Sequence, residues 1–196
     1  MTLDVAAVAA KGKIAAPIGD ADHISAGRFV LRRAKTSDAG LFALYAGDRR
    51  VAEATKSIPH PLPPGAADAF VSRAMIGTAE EDIWVMDGAI SGLPEVLGVI
   101  NLKHMDEEKF SRNQSEVSFW VAPAFWNLGI ASDAVRALMA ANPHNARTIF
   151  AEVFQDNPGS GHVLTNAGFQ YLGDAESFAV ARAARVPTWT YIRKLG

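Results

Sequence analysis

The chain has 196 residues, 49% hydrophobic and 20% charged, with 19 Lys plus Arg against 21 Asp plus Glu and no cysteine. Such values suit one large globular domain rather than a disordered tail. A formal net charge of -2 with no block of like charge offers no broad basic face for nucleic-acid phosphates, and the lack of cysteine removes disulfide scaffolds, cysteine nucleophiles and thiolate metal sites, as a cytoplasmic protein would have it.

Residues 1 to about 26 are rich in Ala and Gly and show no period beyond a short Ala-rich helix at Val5–Ala10, so they read as a partly mobile extension to a domain over 27–196. Met1–Asp4, followed by an Ala/Val run broken by Lys11 and Lys13, does not read as a signal peptide. No apolar run approaches the roughly 20 residues that cross a bilayer, so no membrane contact is expected. The first strand is expected over Arg28–Arg33, where Phe29 and Leu31 alternate with charged neighbours. Ser37 and Asp38 offer a cap and an acidic first turn to a helix carrying Leu41, Phe42, Leu44 and Tyr45, which Gly47 can end. A second piece covers Arg49–Thr55. The prolines of Ile58–Pro64 force a loop, and Ala66, Ala67, Phe70, Val71 and Ala74 recur at helical spacing up to Gly77.

The period then changes. Asp82–Met86 and Val96–Leu102 are β-rich runs separated by turn residues, and a polar stretch, Asp106–Gln114, precedes a third run over Ser115–Val121. These strands predict an antiparallel meander. Pro123–Ala131 opens a helix whose Ala131, Ala134, Val135 and Leu138 keep one face until Asn142–Pro143, and Thr148–Phe154 is the next strand. Strand, helix, strand in that order makes a crossover, so this pair should be parallel within an otherwise antiparallel sheet. A short helix over Gly159–Ala167, a run at Phe169–Leu172 and a last strand at Thr188–Arg193 complete the chain. The fold class is therefore mixed α/β (α+β), a mostly antiparallel sheet flanked by helices with one parallel pair.

Several chemistries lose their markers. There is no phosphate-binding Gly-x-x-x-x-Gly-Lys loop, and Gly159-Ser160-Gly161 lacks the third glycine of a dinucleotide fingerprint. His23, His60, His104, His144 and His162 never fall at metal-ligand spacing, so no metal is expected. What remains is Trp126-Asn127-Leu128-Gly129-Ile130-Ala131 at a strand-to-helix junction. Gly129 lets the backbone turn, Ala131 is small, and the first amides of the helix have no partner within it. Such an end binds phosphate, although a small-residue turn also serves plain packing.

With its order of elements, this segment resembles the acetyl-CoA pyrophosphate signature of the GCN5-related N-acetyltransferases (GNAT), in the branch like the ribosomal-protein N-terminal acetyltransferases. The signature is Gln or Arg, two residues, Gly, one residue, then Gly or Ala; here Trp126 replaces the first position. Glu116–Val121 is similar to the strand that leads into that turn. Asn157-Pro158-Gly159-Ser160 followed by Ala167-Gly168-Phe169 is similar to the family's late helix and strand. The resemblance spans roughly residues 28 to 195.

It implies a GNAT-like sheet whose parallel pair splays into a coenzyme A notch, with acetyl-CoA as cosubstrate and a primary amine as acceptor, either a protein N-terminus or a small molecule. The pantetheine arm would pair with backbone of Trp120, Val121 and Ala122, and the pyrophosphate would meet amides of Trp126, Asn127, Leu128, Gly129, Ile130 and Ala131. Glu116 is the candidate base, or a solvent-facing strand residue. Ser160 is the candidate acid where the family often has a tyrosine, or a helix cap, and Asn157 holds the arm or builds the turn with Pro158. His60 and Arg182 are candidate walls of the acceptor cleft, or solvated loop residues. No nucleic acid partner is expected, and the protein would be a monomer or homodimer. A catalytically inactive acyl-CoA-binding or partner-binding module on the same scaffold is the alternative.

Overall fold

Side-chain alternation along β3 (Glu81–Asp87) and β4 (Gly98–His104) sends Ile83, Val85 and Val99 to one face of the sheet. There they join Phe42 and Ala46 of α1 (Ala39–Ala46) and Val71 and Ala74 of α3 (Ala66–Ile76). Their neighbours Trp84, Met86, Ile100 and Leu102 form the opposite core with Ala134, Val135 and Leu138 of α4 (Ile130–Ala141). Each fully buried side chain of Val, Leu or Ile size contributes about 1.5–3 kcal/mol, so the narrow apolar stripe of α4 is what docks the crossover helix. The computed structural model describes residues 23–78, 80–105 and 113–195; the expected Ala-rich helix at Val5–Ala10 and most of the polar stretch from Asp106 lie outside them.

The remaining strands are β1 (His23–Ser25), β2 (Val30–Arg32), β5 (Gln114–Val121), β6 (Thr148–Phe154), β7 (Gln170–Ala179) and β8 (Ala184–Lys194), and two short helices, α2 (Arg49–Glu53) and α5 (Pro158–Asn166), complete the described elements. The sheet runs β1-β2-β3-β4-β5-β6-β8-β7. Its described pairings are antiparallel except β5 with β6, which α4 connects. This is the mixed, mostly antiparallel sheet that the periodicity predicts.

Three features differ from expectation. His23–Ser25, read as extension, is a strand on β2. The helix expected from Pro123 begins at Ile130, after a 3-10 turn at Pro123–Phe125. The final hairpin, expected around Arg182 and Arg185, has longer strands than the runs at Phe169–Leu172 and Thr188–Arg193, and β8 lies between β6 and β7. β7 hid in the sequence because it is an edge strand exposed along most of its length, so Asp174 and Glu176 break the apolar alternation.

One buried charge cluster ties the N-terminal half together. Arg32 of β2 is 7% exposed and makes two bonds to Asp38, at 2.8 and 2.9 Å, and another to Asp87 of β3. Burial works against the Arg32 cation, but hydrogen bonds and charge from both carboxylates raise its pKa further still. Arg32→Met should therefore cost about 3–5 kcal/mol by leaving two buried carboxylates without a cation. Urea unfolding measures this, and a loss below 1 kcal/mol would show that the cluster does not hold the sheet to α1.

Candidate active site

The parallel pairing is short. β5 and β6 meet only at Gln114–Glu116 opposite Thr148–Phe150. Beyond that point β5 stays with β4 as far as Val121, while β6 stays with β8 as far as Phe154. The strands therefore fork.

The register decides which groups face the gap. Amide and carbonyl of one residue point to the same side of a strand, and the side alternates. The Ala122 amide donates to Leu97 carbonyl at 2.8 Å, and Gln114 carbonyl accepts from Met105 at 3.0 Å, so even-numbered residues of β5 bond to β4. Phe119 and Val121 turn their amides into the fork, where neither has a backbone partner among the described residues. The carbonyl of Val121 accepts from the Trp126 indole at 2.7 Å. Two expectations change as a result. Ala122 gives its amide to Leu97 and its carbonyl to Phe125, so it closes the turn and has no free group for a ligand. The backbone of Trp120 faces β4, and its indole meets Phe42 edge-on at 5.5 Å.

Close approach at the fork rests on Gly98. A Cβ there would lie 2.3 Å from the Trp120 carbonyl oxygen and 2.9 Å from Val121 Cα, distances no side chain can occupy. Past the fork the chain turns through Asn127 and Gly129, whose φ values of 60° and 76° are left-handed and explain why glycine starts the helix. The amides of Ile130, Ala131 and Ser132 open α4 without partners inside it. Arg28, outside the predicted site, adds a cation here: its guanidinium bonds the Leu128 carbonyl and sits 3.0 Å from Asp133.

Two cavities flank the fork. One, about 620 Å³, runs from the end of β5 and the turn at Trp126–Gly129 past Ile130, Ala131 and Ser132 to α5. The other, about 460 Å³, lies under α3 and the proline loop and is walled by Ile58, Leu62, Phe70, Ile83, Val117 and Phe154. Both touch Thr55, Phe119, Trp120, Asn157 and Ser160, so the two spaces join there. Asn157 caps α5, its side-chain oxygen accepting from the Ser160 amide at 3.3 Å. The capping role falls to Asn157, and the Ser160 hydroxyl makes no hydrogen bond among the described residues.

Glu116 stands behind the wall of the smaller cavity and reaches it through Lys56, whose ammonium lies 2.7 Å from Glu116 and 2.9 Å from Glu152. Lys56 and Glu152 both line that cavity and both escaped the sequence reading, because the first sits between elements and the second is one polar position in an alternating strand. Burial would push the Glu152 carboxyl up, but hydrogen bonds from Thr188, Ser177 and Lys56 hold it below the usual carboxylate range. His60 is exposed and lines neither cavity; Ile58, Pro59 and Leu62 of its loop line the smaller one. Arg182 lines the larger cavity, with its Nε on the Glu53 carbonyl at 2.7 Å and its guanidinium paired to Asp156. Its cationic carbon lies 4.9 Å from the Phe154 ring.

A second constellation is structural. Ser115, His144 and Asp82 form a hydrogen-bonded series of 2.9 and 3.2 Å, with His104 stacked on His144 at 3.7 Å. Ser115 is wholly buried and none of these residues lines either cavity, so the series pins β3, β5 and the turn before β6. Among the described residues no group of three His, Asp or Glu could hold a metal ion.

The sequence matches the family model of the acetyltransferase (GNAT) domain over residues 28–170. The chain belongs to the GNAT acetyltransferase family. No curated protein matches its sequence. Solved structures similar to this GNAT chain include the microcin C7 self-immunity acetyltransferase MccE, in complex with acetyl-CoA and AMP, at 13% identity and a TM-score of 0.75 over 90% of this chain and 98% of that one. RimL, the ribosomal L7/L12 α-N-protein acetyltransferase in complex with coenzyme A, aligns at 14% identity and 0.71 over 88% and 98%. The spermidine N-acetyltransferase of Vibrio cholerae, with coenzyme A and spermine, aligns at 17% and 0.67 over 84% and 94%. At these identities the likeness is one of fold.

If the indole of Trp126 braces the rim of the fork, Trp126→Phe should lower stability by about 1 kcal/mol, since it removes a bond to the Val121 carbonyl while keeping an aromatic ring. Denaturant unfolding reads this difference, and an unchanged midpoint would contradict the contact.

Proposed function

We propose that this GNAT domain, spanning 27–196, transfers an acetyl group from acetyl-CoA to a primary amine, a peptide N-terminus or a small molecule, by direct attack. One observation carries the reading: two cavities on either side of the fork meet at Phe119, Asn157 and Ser160. The larger suits coenzyme A. Its pyrophosphate would sit on the amides from Asn127 to Ala131, near Arg28, where a helix start favours an anion. The pantetheine arm would lie along β5 as an added strand and take the outward amides of Phe119 and Val121. The two similar structures with coenzyme A and the one with acetyl-CoA support the choice of ligand.

In this reading the amine arrives from the smaller cavity. Its nitrogen attacks the thioester carbonyl, whose developing oxyanion meets the Val121 amide, and the carbon–sulfur bond breaks. The leaving thiolate takes a proton from the Ser160 hydroxyl, which stands at the junction and makes no hydrogen bond among the described residues. The acceptor's surplus proton passes through water to Glu116, whose carboxylate is held by Lys56, and from there through water to Ser160, which regains its hydroxyl proton. An α-amine with a pKa near 8 is about one-tenth neutral at pH 7, so transfer to such an acceptor should rise with pH up to that value.

Millimolar acetyl-CoA should raise the melting temperature, since it binds only the native chain. Gly129→Glu should abolish that rise by placing a charge and a strained φ against the pyrophosphate, and Ser160→Ala should cut kcat about 10- to 100-fold with the rise intact. Labelled acetyl-CoA and an amine panel supply the assay. Binding without transfer to any amine would leave an acyl-CoA-binding module, and no binding at all would overturn the reading.

A further inference from the structure

Lys56 lies between α2 and the proline loop, in a stretch without regular structure, yet it is bound on three sides. Its ammonium bonds Glu116 of β5 at 2.7 Å and Glu152 of β6 at 2.9 Å. Its carbonyl accepts from the Val180 amide, just beyond β7, at 3.0 Å. These strands are the two arms of the fork. Glu116 is the last residue of β5 paired with β6, and Glu152 lies two residues past its partner Phe150 on the same face. The lysine therefore sits where backbone hydrogen bonding between the arms stops.

We infer that Lys56 is the positioning residue of the transfer site: one ammonium spans the base of the fork, sets the separation of β5 and β6, and fixes the Glu116 carboxylate behind the acceptor cavity. The inference rests on the acetyl-transfer reading for its consequence in catalysis, but the clamp itself rests on geometry. Every charged group near it fits. Glu152 receives Ser177 of β7 at 2.7 Å and a bond from Thr188 of β8 on one oxygen, leaving the other to Lys56. Glu116 faces Lys56 and stands opposite Lys103 of β4 in the register. Without the ammonium two carboxylates would face one another across the gap, and like charges at such a site repel. The clamp also explains how the loop that roofs the acceptor cavity keeps its place: Lys56 begins it, with its side chain anchored on β5 and β6 and its carbonyl on Val180 in the turn after β7.

The test uses the full chain and the variants Lys56→Met and Lys56→Arg, with Lys56→Gln in place of the first should it fail to fold. Carbon-13 NMR follows the Glu152 carboxyl, whose protonation midpoint should rise in Lys56→Met and return in Lys56→Arg, as should hydrogen-exchange protection of the backbone between Glu116 and Phe150. In the transfer assay Lys56→Met should lower kcat about 10- to 100-fold by misplacing the reacting groups, leave KM for acetyl-CoA within a factor of about three, and recover in Lys56→Arg. A role in stability alone would lower the melting temperature while leaving kcat and the Glu152 midpoint where they were, and that result overturns the inference. If the unmodified protein acetylates no amine, the acetyl-transfer reading falls, while the NMR and exchange data still decide whether Lys56 is the clamp.

Discussion

A strand that keeps one neighbour and loses the other is the feature on which this structure turns. Past the Glu116–Phe150 pair β5 is paired only with β4, and β6 turns its back to it to follow β8. Open backbone inside a sheet is costly when buried and an aggregation risk when exposed. Here it faces a cavity between two sheet halves, where water or a ligand can meet it. The gap is held by features that reinforce one another: Gly98 lets β4 close on β5 from behind, Trp126 closes the last carbonyl, and the apolar stripe of α4 fixes the distance the crossover must span.

Polar groups around the fork divide by whether they are already satisfied. The carboxylates of Glu116, Glu152 and Glu81 each have a partner in Lys56, Thr188 or Asn101. Among the described residues, the groups left open include backbone amides of β5 and α4 and the hydroxyls of Ser57, Ser132 and Ser160. An arrangement that leaves donors free at one end and pairs its acids at the other favours an anionic, carbonyl-bearing ligand in the larger cavity. The smaller one, walled by the Phe42–Phe70 stack at 4.2 Å and by Ile58 and Leu62, favours apolar contact around an incoming group.

Much of this was written in local pattern. Alternating Ile83, Val85 and Val99 against Trp84, Met86 and Ile100 gives the strands and their two faces, and Ala134, Val135 and Leu138 give α4. Gly129 marks the turn because only a residue without Cβ adopts its φ cheaply. What escaped is whatever depends on distant residues coming together. The insertion of β8 between β6 and β7 leaves no trace in either strand's own residues. β7 itself carries no apolar alternation, and His23–Ser25 is too short to show any. Lys56, Glu116 and Glu152 are spread over about half the chain, so no spacing could announce them, and Ala122 lost its expected role to a register that only the sheet reveals.

Amide hydrogen exchange with and without acetyl-CoA tests the central claim most directly, because it reads the very groups the fork leaves open. On addition of acetyl-CoA, the amides of Phe119 and Val121 and those of Ile130, Ala131 and Ser132 should slow together, while those of Ser118 and Trp120, already bonded to β4, should change little. Protection confined to another part of the chain, with the Val121 amide exchanging as before, would contradict the account.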